Sequence, residues 1–147
     1  MTQLLVTDMD KMRKNLIQDE GIVLSAYKDH LGYLTIGCGH LIDKAKGGKI
    51  SMNAAMFILN EDINDRIAAI KDKSWFKACD TDARRRALIN MSFQLGVEGL
   101  EKFKNSLALI EQQKWKEAGA ALRKSLWYEQ TKVRAERTIS RIETGVD

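Results

Sequence analysis

The chain has 147 residues, 44% of them apolar and 30% charged, with a net charge of +4 and an isoelectric point near 9.1. That length fits one domain or two lobes sharing a core, and no apolar run approaches the roughly 20 residues that span a bilayer. Two cysteines and two histidines provide neither a disulfide framework nor a paired zinc-ligand spacing, so no metal or other cofactor is expected.

The first residues, Met1 to Asp8, lack a basic n-region and a long enough apolar stretch for a secretory signal, which implies folding in the cytoplasm. Residues 8 to 20 predict a helix: Asp8 is the N-cap, Met9, Met12, Leu16 and Ile17 form one apolar stripe, and Gly21 stops it. From Ile22 to Ile42 short β-branched and aromatic segments alternate with Gly32, Gly37 and Gly39, the pattern of a small antiparallel meander. Lys44 to Lys49 is a polar, glycine-containing turn.

Ser51 then caps a long helix with Ala55, Ile58, Leu59, Ile63, Ile67 and Ile70 on its expected buried side. Beyond residue 72 the chain reads as helical, with an apolar central helix from Asp82 to Leu95 and amphipathic helices near 105–112, 114–124 and 132–141. The absence of proline permits these uninterrupted runs. The class is therefore α+β in a single domain: a helix and sheet lobe over about residues 8–50, a connecting helix over about 51–71, and a helical lobe over about 72–147. Met9, Met12, Met52, Met56 and Met91 read as core filling, Trp127 as a helical-core residue, and Cys38 as a buried small hydrophobe.

The chemistry concentrates in the meander. Glu20 ends the first helix, Asp29 follows nine residues later, and Thr35 six after that. Glycosidic hydrolysis needs a proton donor for the leaving oxygen and a second group that stabilises or activates the attack. At the negative end of a helix dipole Glu20 is biased toward its protonated form, as a general acid requires. Asp29, in a polar turn, can stay ionised, and the Thr35 hydroxyl can share a water with it. Singly, a Glu before a glycine and an Asp beside a turn are ordinary structural residues; pattern alone leaves both readings open.

The wider stretch carries more. Asp19-Glu20-Gly21, Tyr27-Lys28-Asp29 and the run Gly32-Tyr33 through Thr35-Ile36-Gly37 to Gly39-His40-Leu41 resemble the active-site region of phage-type lysozymes, the glycoside hydrolase family of T-even phage lysozyme. The resemblance continues through Arg85-Arg86-Ala87, Ile89-Asn90-Met91, Phe93-Gln94 and Gly96, then Asn105-Ser106-Leu107, Trp127-Tyr128 and Arg134-Ala135 to Thr144-Gly145. It covers about residues 12 to 145.

The resemblance implies a lysozyme-like fold, and an endolysin that hydrolyses the β-1,4 bond between N-acetylmuramic acid and N-acetylglucosamine of peptidoglycan for host cell lysis. Glu20 matches the general acid, Asp29 the second catalytic carboxylate and Thr35 the hydroxyl that holds the attacking water. Leu41, Phe93, Gln94 and Ser106 match substrate-binding positions, Arg134 a cation near the acid, and Asp19 with Arg137 a buried ion pair behind it. Water held jointly by Asp29 and Thr35 favours single-step inversion over a covalent intermediate. His40 is expected to pair structurally with Asp62 on the connecting helix.

Two readings compete. A lytic transglycosylase would use a muramic hydroxyl instead of water, although Asp29 and Thr35 favour water. A membrane-disrupting role would rest on the C-terminal helices, where residues 114–141 hold eight Lys and Arg against three Glu. Those helices also offer a surface for the anionic outer membrane, whereas nucleic acid has only net charge behind it. The expected protein is a monomer that accumulates in the host cytoplasm and reaches the cell wall after the membrane is permeabilised.

Overall fold

A computed structural model describes residues 8–37, 40–43 and 49–147, omitting the side chain of Asp43. All of the expected turn from Lys44 to Lys49 except Lys49, and the thiol of Cys38, lie outside them. The chain divides into two compact units, Met1–Ala55 and Met56–Asp147.

The first unit opens with helix α1 (Met9–Glu20). The Asp8 carboxylate accepts from the backbone N–H of Lys11, satisfying one of the donors a helix start leaves open. At the other end Gly21 adopts φ +74° while its N–H bonds Ile17, so the chain leaves the helix sharply at the residue after Glu20. Strands β1 (Val23–Lys28), β2 (Leu34–Gly37) and β3 (His40–Asp43) form an antiparallel sheet in chain order. Tyr27 pairs with Thr35, and Thr35 with Leu41, so these three residues form one row across the sheet.

Helix α2 (Met52–Ile70) starts where the Ser51 hydroxyl accepts from the Ala54 N–H, as its sequence position suggested. The boundary between the units falls in its first turn. The second unit continues through α3 (Ser74–Lys77), α4 (Asp82–Glu101), α5 (Lys104–Glu111), α6 (Trp115–Arg123), α7 (Leu126–Gln130) and α8 (Lys132–Thr144). Gly96, at φ +74° and ψ 163°, breaks α4 where the apolar period ends, and the chain resumes helical geometry beyond it.

Leu88 and Met91 of α4, Ile110 of α5, Leu122 of α6 and Ile139 and Ile142 of α8 are almost fully buried in one cluster with Trp127. Each such side chain stabilises the unit by about 1.5–3 kcal/mol relative to exposure. The Phe103 and Trp127 rings meet edge to face at 6.0 Å, the arrangement their quadrupoles favour. Cys79 is buried here too, and desolvation pushes its thiol up to about 11.

Small sheet followed by helices meets the α+β expectation. Burial departs from it in two places. Of the apolar side of α2 only Ile70 is buried; Ile63 and Ile67 are half-buried because they face a cavity against α4 and α8 instead of solid packing. Among the methionines Met91 is in the core, while Met9, Met52 and Met56 are exposed, the last two at 72% and 47%. Apolar periodicity identifies a face but not whether anything covers it.

Candidate active site

Glu20, Asp29, Thr35 and Leu41 come together in the first unit, around one concavity of about 310 Å³. Its floor is the cross-strand row Tyr27, Thr35 and Leu41. Glu20 enters as the last residue of α1, its exposed side chain free of any hydrogen bond among the described residues. The tip of the β1–β2 hairpin, from Asp29 through His30 and Leu31 to Tyr33, forms the remaining wall.

Asp29 builds that tip. Its Oδ1 accepts from the backbone N–H of Leu31 at 2.8 Å and of Tyr33 at 2.9 Å, closing an Asx-turn. The main chain adds a bond from Gly32 N–H to the Asp29 carbonyl and one from Asp29 N–H to the Tyr33 carbonyl. Gly32 takes φ +85°, a backbone that glycine reaches without the steric cost of a Cβ. Among the described residues Oδ2 has no donor, so one carboxylate oxygen fixes the loop and the other is left for a ligand. The turn-forming and catalytic readings of Asp29 are thus compatible.

Thr35 is 3% exposed, and its Oγ1 donates to the Tyr33 carbonyl at 3.1 Å. That bond uses the hydroxyl proton and leaves the oxygen as an acceptor. Asp29 Oδ2 and Thr35 Oγ1 thus both keep acceptor capacity, and both residues line the one concavity.

The remaining candidates for glycan contact and the cation Arg134 lie in the second unit. Phe93 and Arg134 line a cavity of about 450 Å³ whose walls also include Ile63 and Ile67 of α2. Arg134, expected beside the acid, has Asn90 as its described partner: Nε and Nη2 both donate to Oδ1, at 3.3 and 3.1 Å. Gln94 accepts from the Trp127 indole N–H at 3.0 Å through Oε1, which fixes its amide and leaves the N–H groups and one oxygen lone pair to meet a ligand. Ser106 is buried at 4% exposure on α5 and lines neither of these two cavities. Asp19 and Arg137 belong one to each unit, and His40 begins β3 with an exposed side chain.

Two features were missed. Arg84, 8% exposed on α4, donates to the carbonyls of Ile142 and Glu143 and lies 4.1 Å over the Trp115 ring. The signal was its place one turn before Leu88 and two before Ser92, both buried on the same helix face. His30 lines the same concavity as Glu20 and Asp29; its only sequence signal was adjacency to Asp29.

The phage lysozyme family profile matches residues 17–141. Probable T4-type lysozyme 1 of Dictyostelium discoideum is 35% identical, over 93% of this chain and 96% of its own length. The pre-baseplate central spike protein Gp5 of Enterobacteria phage T4 is 36% identical over 91% of this chain, which spans 28% of that larger protein. Peptidoglycan hydrolase gp36 of Pseudomonas phage phiKMV is 29% identical over 98% of this chain and 16% of its own length. The profile spans most of the chain, Glu20, Asp29 and Thr35 included, and with a relative 35% identical over nearly its full length it shows that the chain belongs to the phage lysozyme family of glycoside hydrolases.

Proposed function

We propose that the chain is an endolysin, a muramidase that hydrolyses the β-1,4 bond between N-acetylmuramic acid and N-acetylglucosamine in peptidoglycan by single-step inversion. The observation that carries this reading is the concavity shared by Glu20, Asp29 and Thr35, with one oxygen each of Asp29 and Thr35 left to accept. Glu20 gives its proton to the leaving glycosidic oxygen. A water that donates to Asp29 Oδ2 and Thr35 Oγ1 attacks the anomeric carbon of the muramic residue from the opposite face. Asp29 takes the proton the water sheds, and the C–O bond breaks as the new one forms. No side-chain atom bonds to the sugar, which is why the anomeric configuration inverts.

Leu41 supplies an apolar contact on the floor for a sugar face. Phe93, Gln94 and Ser106 are the proposed glycan contacts of the second unit, Gln94 through its amide N–H groups. Arg134 is the proposed cation of the acid's surroundings. The enzyme works as a monomer, accumulates in the host cytoplasm and reaches the wall once the membrane is permeabilised, so that its action lyses the host.

The basic helices are the proposed surface for the anionic outer membrane. Arg123 is held by Glu136 and Glu143, and Arg141 by Asp147, while Lys132, Arg134 and Arg137 of α8 have no ion-pair partner among the described residues. Glu129 and Glu136 interrupt the basic faces, which weighs against membrane disruption as the main activity.

The test is digestion of purified peptidoglycan by wild type and Glu20→Gln, with the fragments reduced by borohydride and weighed. Reducible muramic ends from wild type, lowered about 10²–10⁴-fold by Glu20→Gln, are expected of a general acid. Anhydro ends would assign a transglycosylase. Lysis of cells by both proteins without fragments would assign membrane damage. Proton NMR of the first product reads the anomer, and a β-anomer would exclude inversion.

A further inference from the structure

His30 stands at the hairpin tip inside the concavity that holds Glu20 and Asp29, and the mechanism above does not use it. Its side chain is exposed and makes no hydrogen bond among the described residues. Its backbone is nevertheless fixed, because the Asx-turn of Asp29 bonds Leu31 and Tyr33 beyond it and Gly32 N–H returns to the Asp29 carbonyl. The turn therefore fixes the point on the wall of the concavity from which the imidazole extends.

Charge decides what that ligand is. The titratable groups facing His30 across the concavity are the carboxyls of Glu20 and Asp29 and the phenols of Tyr27 and Tyr33. Among the described lining residues His30 alone can carry a positive charge. A neutral sugar ring needs no such group. The muramic residue differs from glucosamine by a lactyl arm that bears a carboxylate or a carboxylate-rich peptide, and that arm would be repelled by two acidic side chains.

Resting on the muramidase reading, we infer that His30 is a specificity-determining residue whose imidazolium binds the acidic lactyl-peptide arm of the muramic residue. It selects muramic over unsubstituted glucosamine at the cleavage site.

The experiment measures KM and kcat of wild type, His30→Ala and His30→Gln on native peptidoglycan and on the same material with its carboxylates amidated by carbodiimide and ammonia. At pH 6 on native substrate, His30→Ala should raise KM about three- to tenfold, the range of an exposed charge-assisted contact, with kcat within about twofold. His30→Gln, which keeps a donor but no charge, should match His30→Ala. The wild-type advantage should vanish on amidated substrate. Unchanged KM in His30→Ala, equal loss on amidated substrate, or full rescue by His30→Gln would each overturn the inference. Failure of the underlying reading shows separately: wild type would then release no reducible muramic ends, or Glu20→Gln would release as many.

Discussion

Arg84 Nε donates to the Ile142 carbonyl at 2.8 Å, tying the first turn of α4 to the last turn of α8 across 58 residues of sequence. A second nitrogen donates to the Glu143 carbonyl, so one guanidinium satisfies two of the carbonyls that the end of α8 leaves open. Gly145 follows in the left-handed conformation at φ +74°, and a Cβ there would come within 2.8 Å of Arg84 Nη1.

Gly145→Ala combines an unfavourable backbone with a collision, and should destabilise the protein by about 1–3 kcal/mol. Arg84→Ala strands the same carbonyls and uncovers Trp115, for a loss of about 2–4 kcal/mol. Urea denaturation monitored by circular dichroism measures both. Because the two residues share one contact, the double variant should lose less than the sum; strict additivity would show that Gly145 matters for its backbone alone.

Helix starts were legible because a cap is a local event: Asp8 and Ser51 each announce a helix by residue type and position. The central helix was legible as far as Leu95, since Gly96 interrupts both the pattern and the backbone. Helices α3 and α7 span only 4 and 5 residues, too few for a 3.6-residue period to show. Within the candidate site the residue types of Glu20, Asp29 and Thr35 were readable, but the division of labour inside Asp29 was not. Which carboxylate oxygen holds the turn depends on hydrogen bonds to Leu31 and Tyr33 that exist only after the hairpin closes. The role of Gln94 likewise needed Trp127, 33 residues away, to claim its oxygen.

Acid stability should depend on two carboxylates, the half-buried Glu136 and the exposed Asp147. The Arg123 guanidinium, with help from Tyr128, holds the Glu136 carboxyl below its ordinary range, and Arg86 with Arg141 does the same for Asp147. Both groups therefore stay ionised to lower pH when folded than when unfolded. Their contribution is complete above the unfolded carboxylate range near pH 4 and is lost as pH falls through the folded values. Glu136→Gln and Asp147→Asn should each flatten the fall in melting temperature between about pH 5 and 2. Since both pairs face solvent, 1 M salt should erase most of the difference from wild type. A wild-type-like slope in both variants would mean other carboxylates govern acid unfolding.

The dual role of Asp29 separates fold from chemistry. Asp29→Asn keeps an oxygen that can accept from Leu31 and Tyr33, so the hairpin tip should survive with little change in melting temperature. It removes the charge that takes the water's proton, and hydrolysis should fall about 10²–10⁴-fold. Asp29→Ala removes both functions and should also destabilise the tip, by about 1–2 kcal/mol for two lost backbone bonds near the surface. Thr35→Val, similar in shape, takes away the acceptor for water and one of the two donors to the Tyr33 carbonyl. Its rate should fall while the sheet row of Tyr27, Thr35 and Leu41 keeps its pairing. Parallel rate and melting measurements on the three variants decide the matter. If Asp29→Asn retained wild-type activity, the carboxylate would be a turn former only and the attacking water would need another base. If Asp29→Asn lost as much stability as Asp29→Ala, the charge itself would be holding the turn, and its catalytic share could not be read from the rate.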